Sequence, residues 1–123
     1  MDIIHTDKAP AAIGPYSQAI EANGFVFTSG QLGIIPDTGA LAHNMAAQTV
    51  QALENVKAVL AAAGLGQENV VKTTCYLKSM DDFALFNDIY SQYFIASKPA
   101  RSCFAVAQLP KDGLVEIEVV AAR

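Results

Sequence analysis

Two stretches of the chain show the spacing of amphipathic helices. Between residues 45 and 63 apolar side chains recur every three or four positions, and Gly64 follows as a C-terminal stop. On this pattern Gln48, Gln51, Asn55 and Lys57 are expected largely on the polar face. Ser79 with Asp82 three residues later is typical of a capping box, which predicts a second helix over 81–94.

Several shorter stretches alternate with a period of two and predict strands. Residues 17–22 and 25–29 flank Asn23-Gly24, a strong hairpin signal. Further strands are predicted over 69–78, 101–108 and 114–122, with a possible edge strand over 1–6, whereas the glycine- and proline-containing segment 30–44 is expected to be a loop.

This order of elements defines the expected fold class. Two or three strands, a helix, a strand, a helix and two strands predict an α+β sandwich in which both helices pack on one face of a mixed β-sheet. The length of 123 residues suits one domain over 1–123.

The amino-acid composition indicates which partners the protein binds and where in the cell it is located. Hydrophobic residues make up 52% and charged residues only 16% of the chain, which indicates apolar surface covered by other copies of itself and hence a homo-oligomer. The net charge of −4 and the scattered basic residues argue against nucleic-acid binding. No apolar run reaches the roughly 18 to 20 residues of a membrane helix, and the first residues lack the order of a signal peptide, so we expect no membrane partner and a cytoplasmic location.

The two cysteines, Cys75 and Cys103, form neither a metal-binding spacing nor a disulfide framework. Cys75 alternates with core-type residues and is expected in the core. Cys103 could line a site, but no histidine is near it in sequence, since His5 and His43 fall in predicted loops. A Cys-His nucleophile is therefore open but unsupported.

Arg101 is the most informative charge, because it begins a stretch that otherwise resembles a buried strand. With a period of two, Arg101, Cys103 and Ala105 share one face, whereas Phe104 and Val106 are expected to form the core face. A guanidinium beside small side chains is suited to a small carboxylate, which it binds through two parallel hydrogen bonds. The alternative is an arginine whose stem covers apolar surface and whose head meets water.

Glu116 is the second candidate, and it shares a strand face with Glu118, a pattern that is also common on solvated faces. If the last two strands formed a simple hairpin centred near Lys111, Arg101 would lie opposite residue 121, about 16 Å from Glu116. Either the strands pair differently, or one chain supplies Arg101 and another chain supplies its partners.

Asn87 is expected on the aromatic face of the second helix, in register with Phe83, Tyr90 and Phe94. A buried amide needs hydrogen-bond partners. It would therefore either cap a nearby loop or hold a loop of the site.

Several motifs occur together in order along the chain: Gly14-Pro15-Tyr16-Ser17-Gln18-Ala19, Thr28-Ser29-Gly30-Gln31, Leu53-Glu54-Asn55-Val56, Lys72-Thr73-Thr74, Pro99-Ala100-Arg101-Ser102-Cys103, Leu109-Pro110-Lys111 and Glu116-Ile117-Glu118. With these motifs the chain resembles the Rid family of reactive-intermediate (enamine/imine) deaminases over essentially its whole length. The resemblance implies a chorismate-mutase-like fold, a homotrimer with ligand sites between subunits, and hydrolysis of 2-iminopropanoate and 2-iminobutanoate to keto acids and ammonia. Nothing in the chain suggests a metal or organic cofactor.

The resemblance also implies roles for individual residues. Arg101 would bind the substrate carboxylate and Glu116 would lie near the attacking water. The remaining implied contacts are the backbone at Gly30 and Cys103 and the side chains that complete the pocket, Tyr16, Ser29 and Asn87. The chain departs from many relatives at Ala105 and Gln108, and Ala105 could enlarge the pocket or shift its substrate range.

Two other functions are compatible with the sequence. A non-catalytic module could bind imino or keto acids at the same cleft without accelerating their hydrolysis. Ribonuclease or translation-inhibitor activity has been attributed to relatives, but the acidic balance of this chain opposes it.

Overall fold

A computed structural model describes all residues, 1–123, as one mixed sheet of seven strands and two α-helices. The elements in chain order are β1 (Asp2–Ile4), β2 (Ala19–Ala22), β3 (Phe25–Thr28), β4 (Gln31–Leu32), α1 (Met45–Ala62), β5 (Val70–Leu77), α2 (Phe83–Tyr93), β6 (Ala100–Ala105) and β7 (Val115–Ala122). Short 3-10 turns precede β5, α2 and β7. The expected α+β architecture is therefore confirmed, and the predicted loop over 30–44 also contains the short strand β4.

The strand order across the sheet is β1-β2-β3-β7-β5-β6, and β4 pairs with the beginning of β7. All pairs are antiparallel except β5 with β6, which are parallel because α2 connects them. The last two strands do not form a simple hairpin, since β5 lies between β6 and β7, so the alternative that they pair differently is confirmed. β6 is an edge strand.

The core lies between one face of the sheet and the two helices. Along β7 burial alternates strictly, and Val115, Ile117, Val119 and Ala121 face the core. Cys75 of β5 is fully buried there, as expected. Neither helix combines the length and apolarity needed to cross a membrane.

The polar face predicted for α1 is partly wrong. Asn55 and Gln48 are buried, with exposed fractions of 1% and 5%, whereas Val50 is exposed. The Asn55 amide donates to the carbonyls of Leu32 and Ile34, at 3.1 and 2.9 Å. Gln48 donates to the carbonyl of Ala42 and accepts from the N–H of Leu114, each at 2.9 Å. The 30–44 segment is mostly outside the sheet, so its backbone carbonyls have few backbone partners. The side-chain amides of α1 supply hydrogen bonds in their place.

The turn predictions are largely confirmed. Asn23 and Gly24 both have positive φ, 54° and 81°, as a type I′ hairpin requires. Gly64 ends α1 with φ of 76°. The Ser79 hydroxyl accepts from the N–H of Asp81 at 3.1 Å, so it caps a 3-10 turn and α2 begins two residues later than predicted.

The two faces of β6 are the reverse of the prediction. Arg101 and Cys103 pair with Thr73 and Cys75, which are buried, so they face the helices. Phe104 lies on the opposite, open face of the sheet, where its ring packs edge-on against Tyr76 at 5.4 Å. At a sheet edge the alternation alone does not tell which face the helices cover.

Candidate functional site

Arg101 is held by α2 rather than extended into solvent. Its Nη1 donates to Asn87 Oδ1 at 2.7 Å. Its Cζ lies 4.7 Å from the centroid of the Tyr90 ring and 5.5 Å from that of Phe83. A cation over aromatic faces is attracted by the ring quadrupoles, so both contacts favour this orientation of the guanidinium.

Asn87 thus does neither of the things proposed from the sequence. It forms no side-chain hydrogen bond to a loop, and its side-chain oxygen accepts from Arg101 instead. The predicted aromatic face of α2 does exist, and Asn87 lies on it between Phe83 and Tyr90.

A cavity of about 400 Å³ opens beside the Arg101 side chain. Its lining combines cations, hydrogen-bonding groups and apolar surface from α2 and the segment before β6: Asn87, Tyr90, Ser91, Phe94, Lys98, Pro99 and Arg101. Sequence reasoning did not connect Lys98, Phe83 or Tyr90 with Arg101. The helical spacing that places Phe83 and Tyr90 on the same face of α2 as Asn87 was the available signal for the two rings.

Cys103 lies two residues beyond Arg101 on the same face and is partly buried. Burial raises the pKa of its thiol, and the positive charge of Arg101 only partly opposes this. His5 follows β1 at the opposite edge of the sheet, and His43 is exposed before α1. The structure therefore brings no histidine to Cys103, and a Cys-His nucleophile is not formed within the chain.

Glu116, Gly30 and Tyr16 line a second, smaller cavity of about 140 Å³. Gly30 immediately precedes β4, and β4 pairs with β7 so that Leu32 is opposite Glu116. A Cβ atom at position 30 would lie 2.7 Å from Glu116 Cδ, so glycine leaves the space that the carboxylate occupies. Ser29 is adjacent, and its hydroxyl donates to the carbonyl of Ser17 at 2.6 Å.

The surroundings of Glu116 in the smaller cavity disfavour ionisation of its carboxyl. Burial raises the pKa of the Glu116 carboxyl, and the negative charge of Glu118 raises it further. Glu118 itself accepts from the Tyr76 hydroxyl at 2.8 Å. This hydrogen bond, with burial, raises the pKa of Tyr76 to about 12. A carboxyl whose pKa is raised keeps its proton to a higher pH than an ordinary carboxyl, which suits a group that exchanges protons during a reaction.

Within one chain the side chains of Arg101 and Glu116 do not meet. Thr73 of β5 pairs with both Arg101 and Val119, so Arg101 is level with Val119 rather than with Glu116. Three residues along a strand and two strand spacings separate the Arg101 and Glu116 backbones by about 14 Å. Their side chains also lie on opposite faces of the sheet, since Arg101 faces the helices and Glu116 alternates with the core residues of β7.

Nowhere in the chain do three His, Cys, Asp or Glu side chains converge as metal ligands. Ala105 ends β6 and lines neither of the two cavities, and Gln108 is exposed beyond it.

A mixed sheet with both helices on one face makes this an α+β protein, in agreement with the chorismate-mutase-like fold that the resemblance implies. Its two candidate site groups are an arginine held by the second helix and a glutamate beside the glycine that precedes β4. The family described as Endoribonuclease L-PSP matches residues 6–123. The chain belongs to this family, which is also called the YjgF or Rid family.

Relatives match the chain over nearly its full length. A RutC family protein of Synechocystis is 57% identical over 98% of this chain and 95% of its own. A protein of Salmonella typhimurium named 2-iminobutanoate/2-iminopropanoate deaminase is 50% identical over 98% of this chain and 96% of its own. Among solved structures, Escherichia coli TdcF with bound serine superposes with a TM-score of 0.97 at 44% identity, covering 100% of this chain and 99% of TdcF.

Proposed function

We propose that the protein hydrolyses small 2-imino acids, 2-iminobutanoate and 2-iminopropanoate, to the corresponding 2-keto acids and ammonia. The observation that carries the proposal is the fixed guanidinium of Arg101 at the wall of a cavity, with Asn87 using only one of its N–H donors. The remaining donors suit the carboxylate common to these substrates. The name of the Salmonella relative supports the same activity.

The chemistry needs few groups. Arg101 would hold the carboxylate, and Glu116 would orient a water and take a proton from it as the oxygen bonds to the imine carbon. Glu116 would pass that proton to the imine nitrogen, giving a tetrahedral adduct that carries a hydroxyl and an amino group. The hydroxyl proton would then move to the amino nitrogen as the carbon–nitrogen bond breaks, so that ammonia leaves and the carbon–oxygen double bond of the keto acid forms. An imine carbon is already electrophilic, so positioning and proton transfer account for the catalysis. Tyr16, Ser29, Gly30 and the Cys103 backbone would complete the pocket.

We also propose that the working site combines Arg101 of one chain with Glu116 of another, in a homotrimer. The separation of the two groups within a chain supports this, since a substrate of a few atoms cannot span it. The open face of the sheet carries exposed apolar side chains that could pack against another chain. Four of them are more than 40% exposed: Ile3, Phe25, Phe27 and Phe104.

A complementation experiment tests the shared site. Chains carrying Arg101→Ala and chains carrying Glu116→Ala are each expected to be inactive alone. Mixed trimers from co-expression would contain clefts with both intact groups, and activity should return. If both groups acted within one chain, no mixture of the two variants would recover activity.

The activity itself is tested in a coupled assay with a threonine dehydratase, by following release of 2-ketobutyrate and ammonia beyond the spontaneous rate. Arg101→Ala should abolish the acceleration. The chain has one other arginine, Arg123, which donates to Glu21 at 2.8 Å and lines neither cavity. Arg123→Ala is therefore the matched control and should retain the activity. Equal activity of the two variants would remove the carboxylate clamp from the mechanism.

A non-catalytic carboxylic-acid-binding module is the second candidate, and the serine bound to TdcF favours it to the extent that a similar fold holds an amino acid. Tight binding of 2-ketobutyrate that depends on Arg101, without any acceleration of imine hydrolysis, would establish this alternative. Ribonuclease activity, which the family description suggests, is opposed by the net charge of −4.

A further inference from the structure

We infer that Tyr90 is a positioning residue for Arg101. Its ring supports the guanidinium, and its hydroxyl ties that ring to the strand next to the one that carries Arg101. This inference rests on the proposed function in one respect: the positioned group is the one proposed to bind the substrate carboxylate.

The position of Arg101 explains why it needs such support. β6 is an edge strand, so its backbone is held by β5 on one side only. An arginine side chain has many rotamers, and ordering them on ligand binding costs free energy. A guanidinium that is already ordered in the free protein avoids much of this cost.

Tyr90 is built to provide that order. It is only 7% exposed, and it packs against Phe86 at 5.6 Å and Phe94 at 4.8 Å between ring centroids. Its ring is nearer to the Arg101 Cζ, at 4.7 Å, than the ring of Phe83, at 5.5 Å. Tyr90 thus forms the rigid wall on which the guanidinium lies.

The Tyr90 hydroxyl extends this wall to the sheet. It forms a 2.8 Å hydrogen bond with the hydroxyl of Thr73, which is fully buried. Thr73 is the residue of β5 paired with Arg101. Burial raises the pKa of the Tyr90 hydroxyl, which keeps it protonated and hydrogen-bonded. Ring and strand are therefore fixed relative to each other at the level of Arg101.

Four variants separate positioning from simple packing. Tyr90→Leu removes the ring, Tyr90→Phe keeps the ring without its hydroxyl, and Thr73→Val removes the hydroxyl's partner with little change of shape. Phe86→Leu is the matched control, because the Phe86 ring packs on Tyr90 in the same core but does not lie over the guanidinium.

Two measurements are made on each variant in the whole protein. The first is the NMR signal of the Arg101 side-chain Nε–H, assigned by its absence in Arg101→Lys, with its rate of hydrogen exchange. The second is the KM and kcat for imine hydrolysis. Carboxylate binding acts alike in ground and transition states, so loss of positioning should raise KM and spare kcat.

We expect Tyr90→Leu to speed exchange of the Arg101 Nε–H and to raise KM about five- to tenfold, the size of a partly desolvated cation–π contact. Tyr90→Phe should restore most of the KM. Tyr90→Phe, Thr73→Val and their double variant should share one small increase in exchange rate, since they break one hydrogen bond. Phe86→Leu should lower the melting temperature without changing either readout.

The inference is overturned if Tyr90→Leu and Phe86→Leu change the Arg101 signal equally, or if neither changes it. Should Tyr90→Leu fail to fold, Tyr90→Phe and Thr73→Val still decide, because unchanged exchange in both would refute the role of the hydroxyl bridge. A wild-type protein without deaminase activity would refute the proposed function alone, since the NMR readout does not depend on turnover.

Discussion

Replacing Gly30 by alanine tests how closely the β4 loop fits Glu116. The added Cβ would lie 2.7 Å from both Cδ and Oε2 of Glu116. Ordinary contacts between carbon atoms are about 3.5–4.0 Å, so the carboxylate must retreat by about 1 Å. Gly30 does not have positive φ, so alanine adds no backbone strain there.

The cost to stability should be small. A partly exposed glutamate can move to an off-rotamer position for about 1 kcal/mol, which lowers the melting temperature of a chain of this length by about 3–5 °C. The cost to activity should be much larger, because a misplacement of 1 Å at the reacting groups can reduce turnover by about 10²-fold.

Gly24→Ala is the matched control for this prediction. Gly24 has φ of 81° with nothing within 4 Å of its added Cβ, so alanine there is strained but crowds no other residue. The strain of about 1–2 kcal/mol should lower the melting temperature at least as much, without loss of activity. Differential scanning fluorimetry and the dehydratase-coupled assay measure both quantities.

Either of two results would refute the reasoning. Full activity of Gly30→Ala would show that the position of Glu116 does not matter, and an equal loss in Gly24→Ala would show that the assay reports stability. In a Glu116→Ala background the added methyl should have no further effect on turnover. A further loss there would mean that the methyl blocks substrate directly.

Three other changes have outcomes fixed by the structure. Glu118→Gln removes the negative charge that helps to raise the pKa of Glu116, so that pKa should fall and the acid limb of the pH–rate profile should move to lower pH; an unmoved limb would exclude Glu116 as the titrating group. Asn55→Leu removes the amide that donates to the buried Leu32 carbonyl and to the part-buried Ile34 carbonyl, and it should cost about 1–3 kcal/mol of unfolding free energy, measured by urea titration. Gly33→Ala places a Cβ 2.5 Å from the backbone of Gln48, and because a helix backbone cannot retreat as a side chain can, little folded protein should be recovered.

Most of the architecture could be predicted because periodicity is a local property. The helix over 45–62, the Asn23-Gly24 hairpin and the alternation of β7 follow from residues close together in sequence. The pairing of β6 with β5 could not be predicted, since it depends on where α2 returns the chain. The reversed faces of β6 have the same cause.

The candidate site divides in the same way. Arg101 and Glu116 stand out as charges in apolar strands, and the motif resemblance assigns them roles. The contact of Asn87 with Arg101 was missed because it joins a helix face to a strand edge, and alternation within either element cannot show it. The buried amides of α1 were missed because glutamine and asparagine at helical spacing usually face solvent.

The inward-facing amides of α1 also change how the 30–44 segment should be regarded. Its carbonyls are bound at Leu32, Ile34 and Ala42 by side chains of one helix. A segment anchored at three points to a buried helix has less independent motion than a loop whose backbone is bound only by water. We therefore expect a change of length at 32–34, close to Gly30, to be resisted, whereas the exposed tip at 37–40 should tolerate it as loops in proteins usually do.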